Sequence, residues 1–91
     1  MKLLIVDDSN MIRLRIASLM RDARLSDTIE IVGLARDGAS ALQFVLQTKP
    51  NMMTLDLTMP EMDGIACLQA VMKVDPTLSV LVVSALDDKS T

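Results

Sequence analysis

Three carboxylates and one hydroxyl hold the chemistry available to this chain. Asp7 and Asp8, in Asp7-Asp8-Ser9, follow the apolar run Leu3 to Val6. Asp56 stands at the end of a second apolar run, Met52 to Leu57, and opens the segment Asp56-Leu57-Thr58-Met59-Pro60-Glu61-Met62-Asp63-Gly64. Ser84 follows a third run, Ser79 to Val83. Gathered at one place, these groups make an oxygen-only donor set. Such a set selects a hard cation, and Mg2+ held by one or two carboxylates plus waters is the usual form. Clustered carboxylates repel one another unless a cation sits among them. A carboxylate beside Mg2+ can attack an incoming phosphoryl group while the metal offsets charge on its oxygens. A hydroxyl on a neighbouring strand can then bond the transferred phosphoryl.

That chemistry requires the three runs to lie side by side and to end at the same rim. The pattern along the chain supplies this. Leu3-Leu4-Ile5-Val6 is continuously apolar and reads as a strand buried on both faces. Ser9 or Asn10 caps a helix that carries Met11, Ile12, Leu14, Ile16, Leu19 and Met20 and fades near Asp22-Ala23. Its apolar positions form no single stripe, which predicts a broad buried face. Ile29 to Ala35 is a partly alternating strand suited to a sheet edge. Asp37-Gly38 leads to a helix over Ala39 to Gln47, with Ala41, Leu42, Val45 and Leu46 inward. After the strand Met52 to Leu57 comes a helix over Gly64 to Val74, with Ile65, Leu68, Val71 and Met72 at helical spacing. Asp75-Pro76 stops it. Ser79 to Val83 is a fourth strand, and Asp87 to Thr91 looks like the start of another helix. The order βαβαβαβ with short connections predicts an α/β fold: an open parallel sheet, helices on both faces and right-handed crossovers. In such sheets ligands bind in the crevice outside the carboxyl ends of the strands, where the acids fall.

Composition narrows the partners. The chain has 91 residues and a net charge of −3, so one domain is expected and a basic nucleic-acid-binding face is not. It has one Phe, no Trp or Tyr, and eight Met, which predicts an aliphatic core with Met filling its gaps. The single cysteine, Cys67, forms no intrachain disulfide, reads as a small buried apolar residue, and suits a reducing cytoplasm. No apolar run approaches the ~20 residues that span a bilayer, and no signal peptide is visible. Arg13, Arg15, Arg21, Arg24 and Arg36 read as a solvated basic face.

Each motif alone has a bland reading. Asp-Asp-Ser after a strand is usually a helix cap and turn; Met59-Pro60 and Asp63-Gly64 are a loop and a helix start; Ser84 is a strand end. In this order, at matching strand ends, they resemble the receiver domain of bacterial two-component response regulators. The resemblance rests on Asp7-Asp8-Ser9, on Ala35-Arg36-Asp37-Gly38 with Ala41-Leu42, on Asp56 to Gly64, and on Val83-Ser84-Ala85. The start from Asp7 to Arg13 looks most like chemotaxis-type and methylesterase-type receivers. The resemblance implies a flavodoxin-like sheet of order 2-1-3-4 and Asp56 as phosphoacceptor. It further implies Mg2+ on Asp8, Asp56 and the Thr58 backbone carbonyl, with Asp7 acting through water, and Ser84 as switch hydroxyl. A sensor histidine kinase would be the phosphoryl donor.

Measured against that family, residues 1–91 are expected to form a receiver that stops after the fourth strand, without the fifth strand and last helix. The family's Lys after strand five has no counterpart, because Lys89 is too close to Ser84. Strand four then becomes an apolar edge expected to drive self-association. A non-phosphorylated dimerisation module is the alternative function. An aspartyl phosphatase is disfavoured because Val6-Asp7-Asp8-Ser9 lacks an Asp-x-Asp spacing. No direct nucleic-acid contact and no membrane contact are expected.

Overall fold

The computed structural model describes residues 1–22, 28–56 and 64–83. Its elements are β1 (Lys2–Val6), α1 (Asn10–Asp22), β2 (Glu30–Ala35), α2 (Gly38–Thr48), β3 (Met52–Leu55), α3 (Gly64–Val74) and β4 (Ser79–Val82). The four strands form one sheet, parallel throughout as the βαβ pattern requires, in the order β2-β1-β3-β4 that the resemblance implied. Leu57, the whole loop to Asp63, Arg24, and the segment from Ser84 to Thr91 lie outside the described residues.

Strand parity divides the core in two. Leu4, Val6, Met53 and Leu55 face α2 and α3 and pack with Ala41, Val45, Cys67 and Val71. Leu3 and Ile5 face the other way and pack with Ala17 of α1. β1 is therefore lined on both faces, which is why its sequence is continuously apolar rather than alternating. Each of these large side chains contributes roughly 1.5–3 kcal/mol by burial. β2, at the sheet edge, stays half-buried for most of its length. It accommodates Phe44 of α2 through Gly33, where a Cβ would stand 2.5 Å from the Phe44 ring.

The register is tied down at the N-terminal ends of the strands. Asn51 accepts from the Lys2 N–H through its side chain (2.7 Å) and donates its own N–H to the Lys2 carbonyl (2.9 Å). Its carbonyl accepts from the Ser79 N–H (3.2 Å). One residue thus aligns the starts of β1, β3 and β4. The alignment carries through to Val6, Leu55 and Val82 as mutual partners at the far end. α2 terminates at Lys49, in the left-handed conformation (φ 49°), just before Pro50, which disfavours a helical residue ahead of it.

Three expectations need correction. α1 has no broad buried face: Ala17 alone is fully buried, while Met11, Leu14 and Leu19 are exposed. The reason is that α1 covers mainly β1, and a single strand offers a narrow contact stripe. Leu46 and Ile65 are also exposed. Each sits on the outer side of its helix, because Ala41 and Val45, or Cys67 and Val71, already fill the inward stripe. Arg13 is not part of a solvated face, as shown below.

Candidate functional site

Asp7 and Asp56 reach one rim because each follows its strand by a single residue and is held there by the backbone. The Asp7 N–H donates to the Ala35 carbonyl (3.0 Å), the Asp56 N–H to the Val6 carbonyl (3.2 Å), and the Val83 N–H to the Leu55 carbonyl (2.8 Å). The ladder thereby extends one step beyond the strands. Asp7 and Asp56 stand side by side just past β1 and β3, with Asp8 beside them.

Carboxylate oxygens of Asp7, Asp8 and Asp56 all lie within 4.8 Å of one another. Asp7 and Asp56 are only 3% and 4% exposed, and Asp8 is half-buried. Burial raises the Asp7 carboxyl above its ordinary value. The Ser9 N–H, which donates to Asp7 Oδ1 at 2.9 Å, opposes the shift; the charges of Asp56 and Asp8 add to it. Two buried carboxylates and a third beside them, all oxygen donors, fit a hard divalent cation of the Mg2+ type. Such an ion would replace the water that burial removes and offset the mutual repulsion.

The raised Asp7 carboxyl has a consequence for stability. A group that holds its proton more tightly when folded contributes stability below its unfolded value of 3.8, and loses that contribution as pH rises through the higher folded value. In metal-free solution an Asp7→Asn variant should therefore be more stable than the parent at neutral pH. The gap should close on acidification below the ordinary carboxylate range. Urea unfolding at both pH values checks this; a gap of constant size would refute it.

The turn that carries the acids is built by α1. Ser9 is its N-cap: Ser9 Oγ accepts from the Ile12 N–H (3.2 Å) and the Ser9 carbonyl from the Arg13 N–H (3.0 Å). The Arg13 guanidinium turns back, donating to the Asp7 carbonyl (2.6 Å) and to Asn10 Oδ1 (3.1 Å). Sequence reasoning placed Arg13 in solvent. The signal that could have found it is backbone accounting: a carbonyl just past a strand end needs a donor.

On the neighbouring loop, Asp37 caps α2 by accepting from the Ser40 N–H (2.7 Å), and that bond holds its carboxyl below the ordinary value. Cys67 is buried, and burial, with Asp37 nearby, raises its thiol. It is a core residue, as its place in the helical pattern suggested. The structure thus brings together Asp7, Asp8 and Asp56 of the expected site. Thr58 and Ser84 lie outside the described residues.

The chain matches the response regulator receiver domain over residues 3–91. It is 40% identical over 86 residues to the chemotaxis protein CheY of Listeria monocytogenes, covering 94% of this chain and 69% of that protein. It is 38% identical over 84 residues to a protein-glutamate methylesterase/protein-glutamine glutaminase of Archaeoglobus fulgidus, covering 92% of this chain but 23% of that protein. In fold it matches a chain of the CheX–CheY–BeF3–Mg2+ complex from Borrelia burgdorferi with a TM-score of 0.80 and 33% identity, over 98% of this chain and 66% of that one. Chemotaxis-type and methylesterase-type relatives are those that the Asp7-to-Arg13 start suggested. A match along nearly the whole chain, to proteins whose sheet it also shares, makes this chain a member of the response regulator receiver domain family.

Proposed function

We propose that this receiver accepts a phosphoryl group on Asp56 in a Mg2+-dependent reaction, with a sensor histidine kinase as the donor. The observation that carries the reading is the convergence of Asp7, Asp8 and Asp56 at the carboxyl rim of the sheet. The Mg2+-containing structure of a fold relative supports it. Asp8 and Asp56, with the Thr58 carbonyl, would hold the ion, and Asp7 would hold it through water. When bound, Mg2+ neutralises charge on the phosphoryl oxygens.

The Asp56 carboxylate oxygen attacks phosphorus, a P–O bond forms, and the P–N bond of the donor phosphohistidine breaks. The departing imidazole nitrogen takes up a proton from solvent. Ser84 would bond the transferred phosphoryl and so report the modified state to a partner or output domain. The product is the phosphorylated chain itself, so the role is switching rather than turnover of a separate substrate. No helix among the described residues is long and apolar enough to cross a membrane, and we assign the domain to the cytoplasm, where such kinases present their phosphohistidine.

A Mg2+ titration of the parent beside Asp8→Asn tests the site. Binding to the parent, weakened at least about tenfold in the variant, is expected. Equal binding by both would remove Asp8 from the site and with it this reading.

One observation favours a second interaction. Among the described residues β4 forms a ladder with β3 alone, and its Leu81 and Val82 are 55% and 43% exposed. An apolar strand with an open row of N–H and C=O groups pairs readily with another strand. We assign β4 as a surface for a second copy of the chain. Light scattering of the 91-residue chain should show a mass that grows with concentration; a monodisperse monomer at high concentration would rule this out.

A further inference from the structure

We propose that Arg13 is a positioning residue for the acidic site: its guanidinium holds the Asp7 carbonyl and so aims Asp7 and Asp8 at the cation. The inference rests on the Mg2+ reading of the three acids. Asp7 and Asp8 lie between the last residue of β1, Val6, and the first of α1, Asn10. The strand fixes the Asp7 N–H through Ala35, but its carbonyl points beyond the ladder.

Arg13 supplies the missing donor. One arm of its planar fork meets the Asp7 carbonyl at 2.6 Å and the other meets Asn10 Oδ1 at 3.1 Å. Its own N–H is bonded to the Ser9 carbonyl at 3.0 Å, so it is rooted in the first turn of the helix whose cap it braces. Meanwhile the Ser9 N–H holds Asp7 Oδ1. Asp8 is the residue bracketed by these contacts. Its direction therefore depends on the Asp7 carbonyl staying in place.

Arg13 is half-buried, which strengthens a charge-assisted bond over its exposed equivalent. A lysine has the charge but not the fork, so it can reach the carbonyl without also engaging Asn10. Groups that orient metal ligands without touching the metal are worth about 10–100-fold in metal affinity.

The test is a calorimetric Mg2+ titration of the parent, Arg13→Ala and Arg13→Lys, with amide hydrogen exchange at Asp8 and Ser9 in metal-free solution. Arg13→Ala should bind Mg2+ about tenfold more weakly and exchange faster at both amides. Arg13→Lys should fall between it and the parent on both readouts. Arg13→Ala binding within about twofold of the parent, or losing thermal stability with unchanged exchange at the turn, would overturn the proposal. If Arg13→Ala fails to fold, Arg13→Lys decides: affinity and exchange both equal to the parent's would overturn it. A parent that binds no Mg2+ would instead remove the cation-site reading. Exchange then judges the brace alone, and unchanged rates in Arg13→Ala would overturn that as well.

Discussion

An Asp56→Asn variant should take up no phosphoryl group from acetyl phosphate and Mg2+, while the parent chain gains one as read by intact mass. The expectation is total loss rather than slowing, because the amide lacks the nucleophilic oxygen that forms the acyl phosphate. Asp56 is the acceptor that we propose. It follows β3, is held one step along the ladder by its N–H to Val6, and lies 4% exposed beside Asp7 and Asp8. The substitution keeps size and shape, so lost uptake cannot be assigned to a collapsed strand, and unfolding curves of both chains would show this. Uptake by Asp56→Asn equal to the parent's would move the acceptor to Asp7 or Asp8. Uptake by neither chain would leave the receiver fold intact and favour the self-associating, unphosphorylated module.

The largest effect on stability is expected from Leu55→Ala. Leu55 is fully buried, pairs with Val6 on one side and Val82 on the other, and lies in the core shared with α2 and α3. Removing its branched end loses the transfer free energy and leaves a cavity that a two-helix layer closes only in part. The cost is about 2–5 kcal/mol, against a total of about 5–15 kcal/mol for a domain of ordinary stability. For a chain of this size the melting temperature should fall by roughly 8–40 °C. Leu55→Met, which keeps the volume, should cost less than about 1.5 kcal/mol. Thermal unfolding followed by circular dichroism measures both. An alanine variant within about 1 kcal/mol of the parent would mean that this strand is not the centre of the core. Because Asp56 is the next residue, the same variant should also bind Mg2+ poorly at temperatures where its core has loosened.

The three acids at this rim were legible in the sequence for a simple reason. A continuous apolar run followed at once by an acid is costly anywhere except at the end of a buried parallel strand. Leu3 to Val6 before Asp7, and Met52 to Leu55, apolar but for Thr54, before Asp56, therefore declared both the strands and the rim. The repeated strand–helix alternation did the same for sheet type, and the edge position of β2 showed in its partial alternation. Helix faces were harder to read. Met11, Leu14, Leu19, Leu46 and Ile65 are apolar yet exposed, because hydrophobicity records what a side chain tolerates and not which neighbour the fold places beside it.

The sequence by itself determined that this chain makes parallel strands with carboxylates at their C-terminal ends, since periodicity and abrupt polarity changes are local properties. Only the tertiary structure decided which carboxylates meet. That depends on register, which Asn51 fixes from the opposite end of the sheet by bonding Lys2 and Ser79. It also decided that Arg13 turns inward. An arginine's sequence position does not reveal which carbonyl lacks a donor, and that lack exists only once β1 and α1 have taken their places around the Asp7 turn.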